Sequence, residues 1–176
     1  VDYTIMFNGH KSSFSSVYIN NDGERQVMNY RDVTLPTEAS WINEIEKHDA
    51  YLADTRWNEG AIETLKVARK NKCPGVLDAE ETVSLDAIAI ASHSAFSMHG
   101  LKTFTKLNNI SDALKKVKEH TSGWVCVTDG ENGVFFLEGS KLVNIPVNKV
   151  DVKDTLGAGD VWHGAFTLSL AEGNNE

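Results

Sequence analysis

The sequence predicts an α/β protein, with a mostly parallel sheet covered by helices and a small β element ahead of it. From residue 50 onward, short apolar runs alternate with segments of helical periodicity. The strand–helix–strand units repeat at a length that implies parallel pairing. The first 35 residues follow another pattern, that of a hairpin, so the boundary is placed there: 1–35 as β strands and return, 36–176 as the α/β part.

In the hairpin, Ser16–Asn20 and Gln26–Tyr30 are the strands and Asn21-Asp-Gly23 the turn. Beyond Pro36, the spacing of Trp41, Ile42 and Ile45 predicts a helix capped by Thr37 and ending near His48. Ala50–Ala53 reads as a strand, and Ala61–Asn71 as a helix with Ile62, Leu65 and Ala68 on one face. Pro74–Asp78 is the next strand, Leu85–Ala91 a short helix, and Ala95-Phe96 the centre of another strand. Ile110–His120 is helical and Trp124–Asp129 a buried strand. Val134–Leu137 and Lys141–Ile145 form a hairpin across Glu138-Gly-Ser140, and a last helix runs from about Gly159 to Ala171. Ligands of such sheets bind beyond the carboxyl ends of the strands. Asp54, Arg56, Asp78, Thr128 and Gly130 lie there.

A hydrophobic fraction of 41% supports a packed core. The formal charge of −8, from 25 acidic and 17 basic residues, argues against a reader of nucleic-acid backbones. No apolar run is long enough for a bilayer, and Val1–Phe7 lacks the basic-then-apolar form of a signal peptide. Cys73 and Cys126 stand in no metal-ligand spacing, which fits a reducing, cytoplasmic compartment.

The chemistry concentrates in Asp154-Thr-Leu-Gly-Ala-Gly-Asp160, directly ahead of the last helix. The first N–H groups of a helix have no internal partner, and its dipole is positive at that end. Gly157 and Gly159 let a phosphate approach the backbone, and with Ala158 they form a candidate anion hole. Asp160, in the first turn, is placed to take a proton from an attacking hydroxyl. A lone glycine turn with an aspartate at a helix start has a plainer reading, as a capped turn complementing the dipole. Gly164 and Ala165 are expected to keep the next turn thin for close packing.

The extended pattern Asp-Thr-x-Gly-Ala-Gly-Asp-x-x-x-Gly-Ala resembles the second signature of the ribokinase-like (phosphofructokinase-B) carbohydrate kinases. Ser12-Ser13 and Asp22-Gly-Glu-Arg25 are similar to the family's lid strands, and Val127-Thr-Asp-Gly130 with Gly133 to its nucleotide-binding strand and turn. The resemblance implies a ribokinase-like fold with a small β lid, ATP and Mg2+ as cofactors, and a sugar as substrate. It implies Asp160 as the general base, Gly157, Ala158 and Gly159 as the anion hole, and Thr128, Gly130 and Gly133 as nucleotide contacts. Asp154 matches a position associated with a monovalent cation, although helix initiation alone explains it. Lid strands often pair between subunits in this family, which implies a homodimer through the lid.

One departure is evident. The family's Asn-x-x-Glu, which serves magnesium and phosphate, corresponds to Ser97-Met-His-Gly100 in a stretch read as a loop. Magnesium would then be held mainly through ATP phosphates and water. His99 there is expected to face solvent, and His163 on the last helix to serve packing. Tyr51–Ala61 and Asn29-Tyr30 most resemble the sulfofructose kinases, in which residues at the places of Asn29 and Arg56 recognise a sulfonate. Surface pairing of Arg56 with Asp54 or Glu59 is the plainer account. A ketose phosphate, a neutral sugar as in fructokinase or ribokinase, and a non-catalytic binding role are the alternatives. The usual glycine-rich half-sheet and the final helices of the family have no counterpart, so the 176-residue chain by itself is expected not to phosphorylate sugar.

Overall fold

The computed structural model describes residues 10–20, 25–32 and 34–176. The chain divides into two compact units, Val1–Glu38 and Ala39–Glu176.

In the first unit, β1 (Phe14–Ile19) and β2 (Arg25–Tyr30) pair antiparallel, with Val17 opposite Val27. The hairpin expectation holds for both strands. Its turn, and Asp22-Gly-Glu of the lid motif, lie outside the described residues. Phe14 and Tyr30 stack at 5.3 Å across the pair, and Ser15 Oγ donates to Asn29 Oδ1 at 2.6 Å. Asp32 accepts from Thr34 Oγ1 at 2.6 Å, Thr34 N at 2.9 Å and Lys11 N at 3.1 Å. These donors, the Thr34 hydroxyl foremost, hold its carboxyl down to about 2. A lowered carboxylate stabilises the fold fully above its ordinary value and ceases to do so as pH falls through the folded one. A 13C titration of the Asp32 carboxyl is therefore expected to show its midpoint at about 2.

In the second unit the six strands stand in the order β3-β4-β5-β6-β7-β8. β3 (Tyr51–Asp54), β4 (Gly75–Ala79), β5 (His93–Ser97) and β6 (Trp124–Thr128) are parallel. β7 (Val134–Glu138) and β8 (Lys141–Ile145) close that edge as an antiparallel hairpin. The period of two along each strand sorts side chains to the two faces. Leu77, Ala79, Phe96, Val125 and Val127 meet one face's helices, α1 (Asn58–Asn71), α2 (Leu85–Ile90), α3 (Met98–Thr105) and α4 (Ile110–Lys118), through Leu65, Ile88, Leu101 and Leu114. Each of the large side chains buried there contributes about 1.5–3 kcal/mol. Residues of the other parity, His93 and Trp124, meet α5 (Ala158–Ala171), whose Phe166 ring is 5.7 Å and 5.4 Å from theirs.

Caps explain several helix starts. Ser84 Oγ accepts from Ala87 N at 3.2 Å ahead of α2, and Asn109 Oδ1 from Asp112 N at 3.0 Å ahead of α4. The helix expected over Thr37 to His48 is instead a 3-10 turn, Ser40–Glu44, preceded by Ala39 with no side-chain cap. Only Ile42 within it is buried, packing with Tyr51, Val67 and Ala68, and Ile45 is already extended. One inward residue is too little to sustain further turns. α3 was not expected: the stretch read as a loop at Ser97–Gly100 is its cap and first turn.

Candidate active site

The carboxyl ends of β3, β4 and β5 lie side by side, and the register places Asp54 opposite Asp78 and Asp78 opposite Ala95. The first turns of α5 stand over this row. A cavity of about 180 Å³ is lined by Leu52, Asp54, Thr55, Arg56, Asp78, Glu80, Asp160 and His163. Sequence-predicted Asp160 and Arg56 thus share one cavity with Asp54 and Asp78, whose positions alone had marked them. Thr128, Gly130 and Gly133 do not line it.

α5 begins as its sequence requires. Gly157 has φ +76, the left-handed conformation that side chains disfavour, and no side chain caps the helix. Asp154 Oδ1 instead accepts from Leu156 N at 2.8 Å, tightening the approach to the turn. Ala158 and Gly159 are exposed, and a Cβ on Gly159 would meet nothing within 4 Å among the described residues. A Cβ on Gly157 would lie 3.9 Å from Asp160 Oδ2, so the carboxylate sits beside the glycine turn. Ala158 N donates to Thr155 O at 3.2 Å within the turn, and the positive end of the helix dipole has the Asp160 carboxylate alongside.

Gly164 and Ala165 correct an expectation. Both are exposed, and a Cβ on Gly164 would meet nothing within 4 Å among the described residues. They thin no packed contact here. His163 does more than pack. It is 4% exposed, its Nδ1 lies 2.7 Å from Gly159 O, and its Nε2 lies 3.3 Å from Ala95 O and 3.4 Å from Asp78 Oδ1. Helix periodicity put it on the apolar face; no local signal tied it to Asp78, 85 positions earlier (163 − 78).

Burial pushes the Asp78 carboxyl up to about 6, against the favourable pull of His163 and with the nearby charges of Glu80, Asp160 and Asp54 adding to the rise. Arg56 is held by carboxylates: Nη2 donates to Glu80 Oε2 at 3.2 Å, Nε lies 3.8 Å from Asp54 Oδ2, and the backbone N–H of Arg56 donates to Asp54 Oδ1 at 3.0 Å. The expected pairing with Asp54 is present, and Glu80 takes the place of Glu59. These side chains are about half exposed, so the pairs are worth well under 1 kcal/mol each and yield readily.

At the end of β6, Thr128 Oγ1 donates to Phe96 O at 3.4 Å. Gly130 opens a 3-10 turn, Gly130–Asn132, at φ +51, with open space where a Cβ would be. Gly133, at φ +92, brings its Cα so close to β8 that a Cβ would sit 2.1 Å from Ile145 O. Packing of the β7–β8 hairpin thus accounts for Gly133. Asn29 lies in the other unit, on β2.

The residues at the place of the family's Asn-x-x-Glu do not suit a protein-held metal. Ser97 Oγ caps α3 by accepting from Gly100 N at 3.0 Å, and a Cβ on Gly100 would stand 2.5 Å from Ala79 O. A glutamate does not fit there. Among the described residues no group of three or more His, Cys, Asp or Glu side chains is arranged for a metal. His99 belongs to the first turn of α3 rather than a loop; it faces solvent as expected, its Nε2 2.7 Å from Glu81 Oε1.

A model of the pfkB family of carbohydrate kinases matches residues 1–175, and the chain belongs to that family. It is similar to the ribokinase of Bacillus subtilis strain 168, at 29% identity over 147 residues, covering 82% of this chain and 49% of that protein. A 60-residue stretch is 43% identical to the ribokinase of Lactococcus lactis subsp. lactis, 34% of this chain and 20% of that one. A solved structure of a proposed ribokinase from Agrobacterium tumefaciens superposes with a TM-score of 0.79 at 28% identity, over 96% of this chain and 57% of that one. The Arabidopsis thaliana ribokinase, solved with ribose and ATP, shares the fold at a TM-score of 0.74 and 18% identity, over 96% and 59% of the two chains. The fold is ribokinase-like, as expected. The chain spans about half the length of the curated ribokinase it matches across most of its own sequence. Among the described residues no helix is long and apolar enough to cross a membrane.

Proposed function

We propose that the protein carrying this chain phosphorylates a sugar hydroxyl with ATP, with Asp160 as general base. The observation that supports this most is the uncapped N-terminus of α5, opened by Gly157 at φ +76, with Asp160 in its first turn beside the strand ends. The sugar hydroxyl oxygen bonds to the γ-phosphorus as the bond from that phosphorus to the bridging oxygen breaks. The hydroxyl proton passes to the Asp160 carboxylate and ADP leaves. N–H groups of Gly157, Ala158 and Gly159 stabilise charge on the transferred group. Thr128, Gly130 and Gly133 are proposed to contact the nucleotide at the end of β6. Magnesium would be held by the ATP phosphates and water, where it would offset phosphate charge, and a monovalent cation near Asp154 is a subsidiary proposal. Incubating the full-length protein with γ-labelled ATP and a panel of ketoses, ribose and their phosphates tests the reading. Transfer of label to no sugar would overturn it.

For the acceptor, we propose a ketose bearing an anionic group, such as sulfofructose or a ketose phosphate. The support is the family resemblance of Asn29 and Arg56, together with the weak, solvent-exposed pairing that leaves Arg56 free to exchange Glu80 for a tetrahedral anion. Arg56→Ala is expected to raise KM for the anionic ketose by roughly tenfold or more and to leave that for fructose within about twofold. Equal effects on both would sink anion recognition. A neutral sugar is the second reading, favoured by the four carboxylates Asp54, Asp78, Glu80 and Asp160 around the cavity, which suit hydroxyl donors and repel anions. A homodimer is proposed through the hairpin, where Phe14, Tyr18 and Ile19 are exposed.

A further inference from the structure

The surroundings of the buried His163 ring constrain its protons. Nδ1 lies 2.7 Å from Gly159 O, and a carbonyl oxygen only accepts, so Nδ1 carries hydrogen. Nε2 faces two more acceptors, Ala95 O at 3.3 Å and Asp78 Oδ1 at 3.4 Å. Asp78 Oδ1 is buried and has no hydrogen-bond partner among the described residues. A neutral ring with hydrogen on Nδ1 alone, beside an ionised Asp78, would set a lone pair against a carbonyl and a carboxylate. It would also leave a buried charged acceptor unsatisfied, which is costly. One additional proton relieves both, whether on Nε2, making an imidazolium–carboxylate pair, or on Asp78, donating to Nε2.

The geometry points to Asp78 and His163 as a positioning pair that shares one proton and, through His163 Nδ1, clamps the Gly159 carbonyl of the turn that carries Asp160. The clamp joins α5 to the adjacent strands β4 and β5 at one point, since Asp78 and Ala95 are register partners. Without the shared proton the ring has a single N–H to serve acceptors on opposite edges. It then holds either Gly159 or the strands. Pulling the ring toward the strands loosens a backbone group that neighbours both the candidate anion hole and the base, where small displacements are expensive.

Other charges around Asp78 determine when the proton is lost. Asp54 from β3, Glu80 beyond β4 and Asp160 from α5 are acidic neighbours that retain it. Arg56, paired to Asp54 and Glu80, moderates them. The clamp is therefore complete in acid and opens as pH rises. Anionic phosphate in the cavity is expected to tighten it further.

The kinetic part of this inference rests on the proposed phosphoryl transfer, whereas the proton count does not. Long-range 1H–15N correlation spectra of the full-length protein read both ring nitrogens of His163 directly. In the wild type the Nδ1 N–H signal is expected to be full in acid and to weaken as pH rises and the ring's single hydrogen is divided between Nδ1 and Nε2, whereas in Asp78→Asn Nδ1 keeps its hydrogen throughout. The same pH dependence of the Nδ1 N–H signal in the two proteins, or an Nδ1 without hydrogen in acid, would overturn the pair. With a sugar that is turned over, His163→Ala is expected to lower kcat roughly tenfold or more with KM for ATP within about twofold. Asp78→Asn, whose amide can donate to Nε2 of the neutral ring, is expected to lose the alkaline limb of the kcat pH profile, whatever its effect on the height of that profile. An unchanged kcat in His163→Ala, or an alkaline limb that persists in Asp78→Asn, would overturn the positioning role. If no sugar is phosphorylated, the functional proposal fails, and the ring-nitrogen spectra still decide whether the shared proton exists.

Discussion

Asp160→Asn in the full-length protein is expected to lower kcat roughly a thousandfold while leaving ATP affinity within about threefold. The amide keeps the volume and polarity of the side chain but has no lone pair basic enough to accept the hydroxyl proton. Its fold cost is small, because a carboxylate in the first turn of a helix contributes only about 0.3–1 kcal/mol through the dipole. The turn itself rests on Gly157 and on Asp154 accepting from Leu156 N, neither of which the substitution touches. One side effect has a definite sign. Asp160 is among the charges that raise Asp78, so its neutralisation lowers the Asp78 pKa and shifts the loss of the Asp78 proton to lower pH. Turnover equal to wild type would remove Asp160 from the role of base, and lost ATP binding would show that the charge serves the nucleotide.

Gly133→Ala is expected to destabilise the second unit by about 3 kcal/mol or more, read as a lowered midpoint in chemical unfolding. Two costs add. At φ +92 and ψ −151 the backbone is in a region that glycine alone enters readily, and the added Cβ would lie 2.1 Å from Ile145 O. That neighbour is backbone of β8, tied into the hairpin through Asn144, whose Nδ2 donates to Asn132 O at 2.9 Å. Gly130→Ala is the matched control. Its φ of +51 costs about 1 kcal/mol, and none of the described residues lies within 4 Å of the new Cβ. A Gly130→Ala protein that stays folded but loses ATP would support the proposed nucleotide contact. The same loss in Gly133→Ala would follow from the fold alone, so only the pair of variants separates contact from packing. A Gly133→Ala protein as stable as wild type would contradict the close approach of β8.

The strands and most helices were legible because their signals are local. Leu65 and Ala68 show the buried stripe of α1, Ser84 and Asn109 are caps of the favoured type, and Gly157 announces a left-handed turn. The two errors of element have the same cause in reverse. Trp41, Ile42 and Ile45 have helical spacing, but whether a helix persists depends on how many of them find a buried partner, and only Ile42 does. Ser97 was read against a family motif and so as a site position, although a serine three residues ahead of Gly100 is also a helix cap.

Asp160, its glycine turn and the helix behind it were determined by sequence alone, since a contiguous motif contains its own geometry. The family and its ribokinase-like fold followed from the same stretch and from the order of the elements around it. What surrounds Asp160 was decided by tertiary structure. Parallel register set Asp54, Asp78 and Ala95 in one row, and the seating of α5 on that row brought His163 to Asp78 and Asp160 to Arg56's cavity. The proton shared by a buried acid and a buried imidazole depends on desolvation and on acceptors from three separate elements. Residue identities along the chain do not encode that, because it arises only when strands far apart in sequence are laid side by side and water is removed.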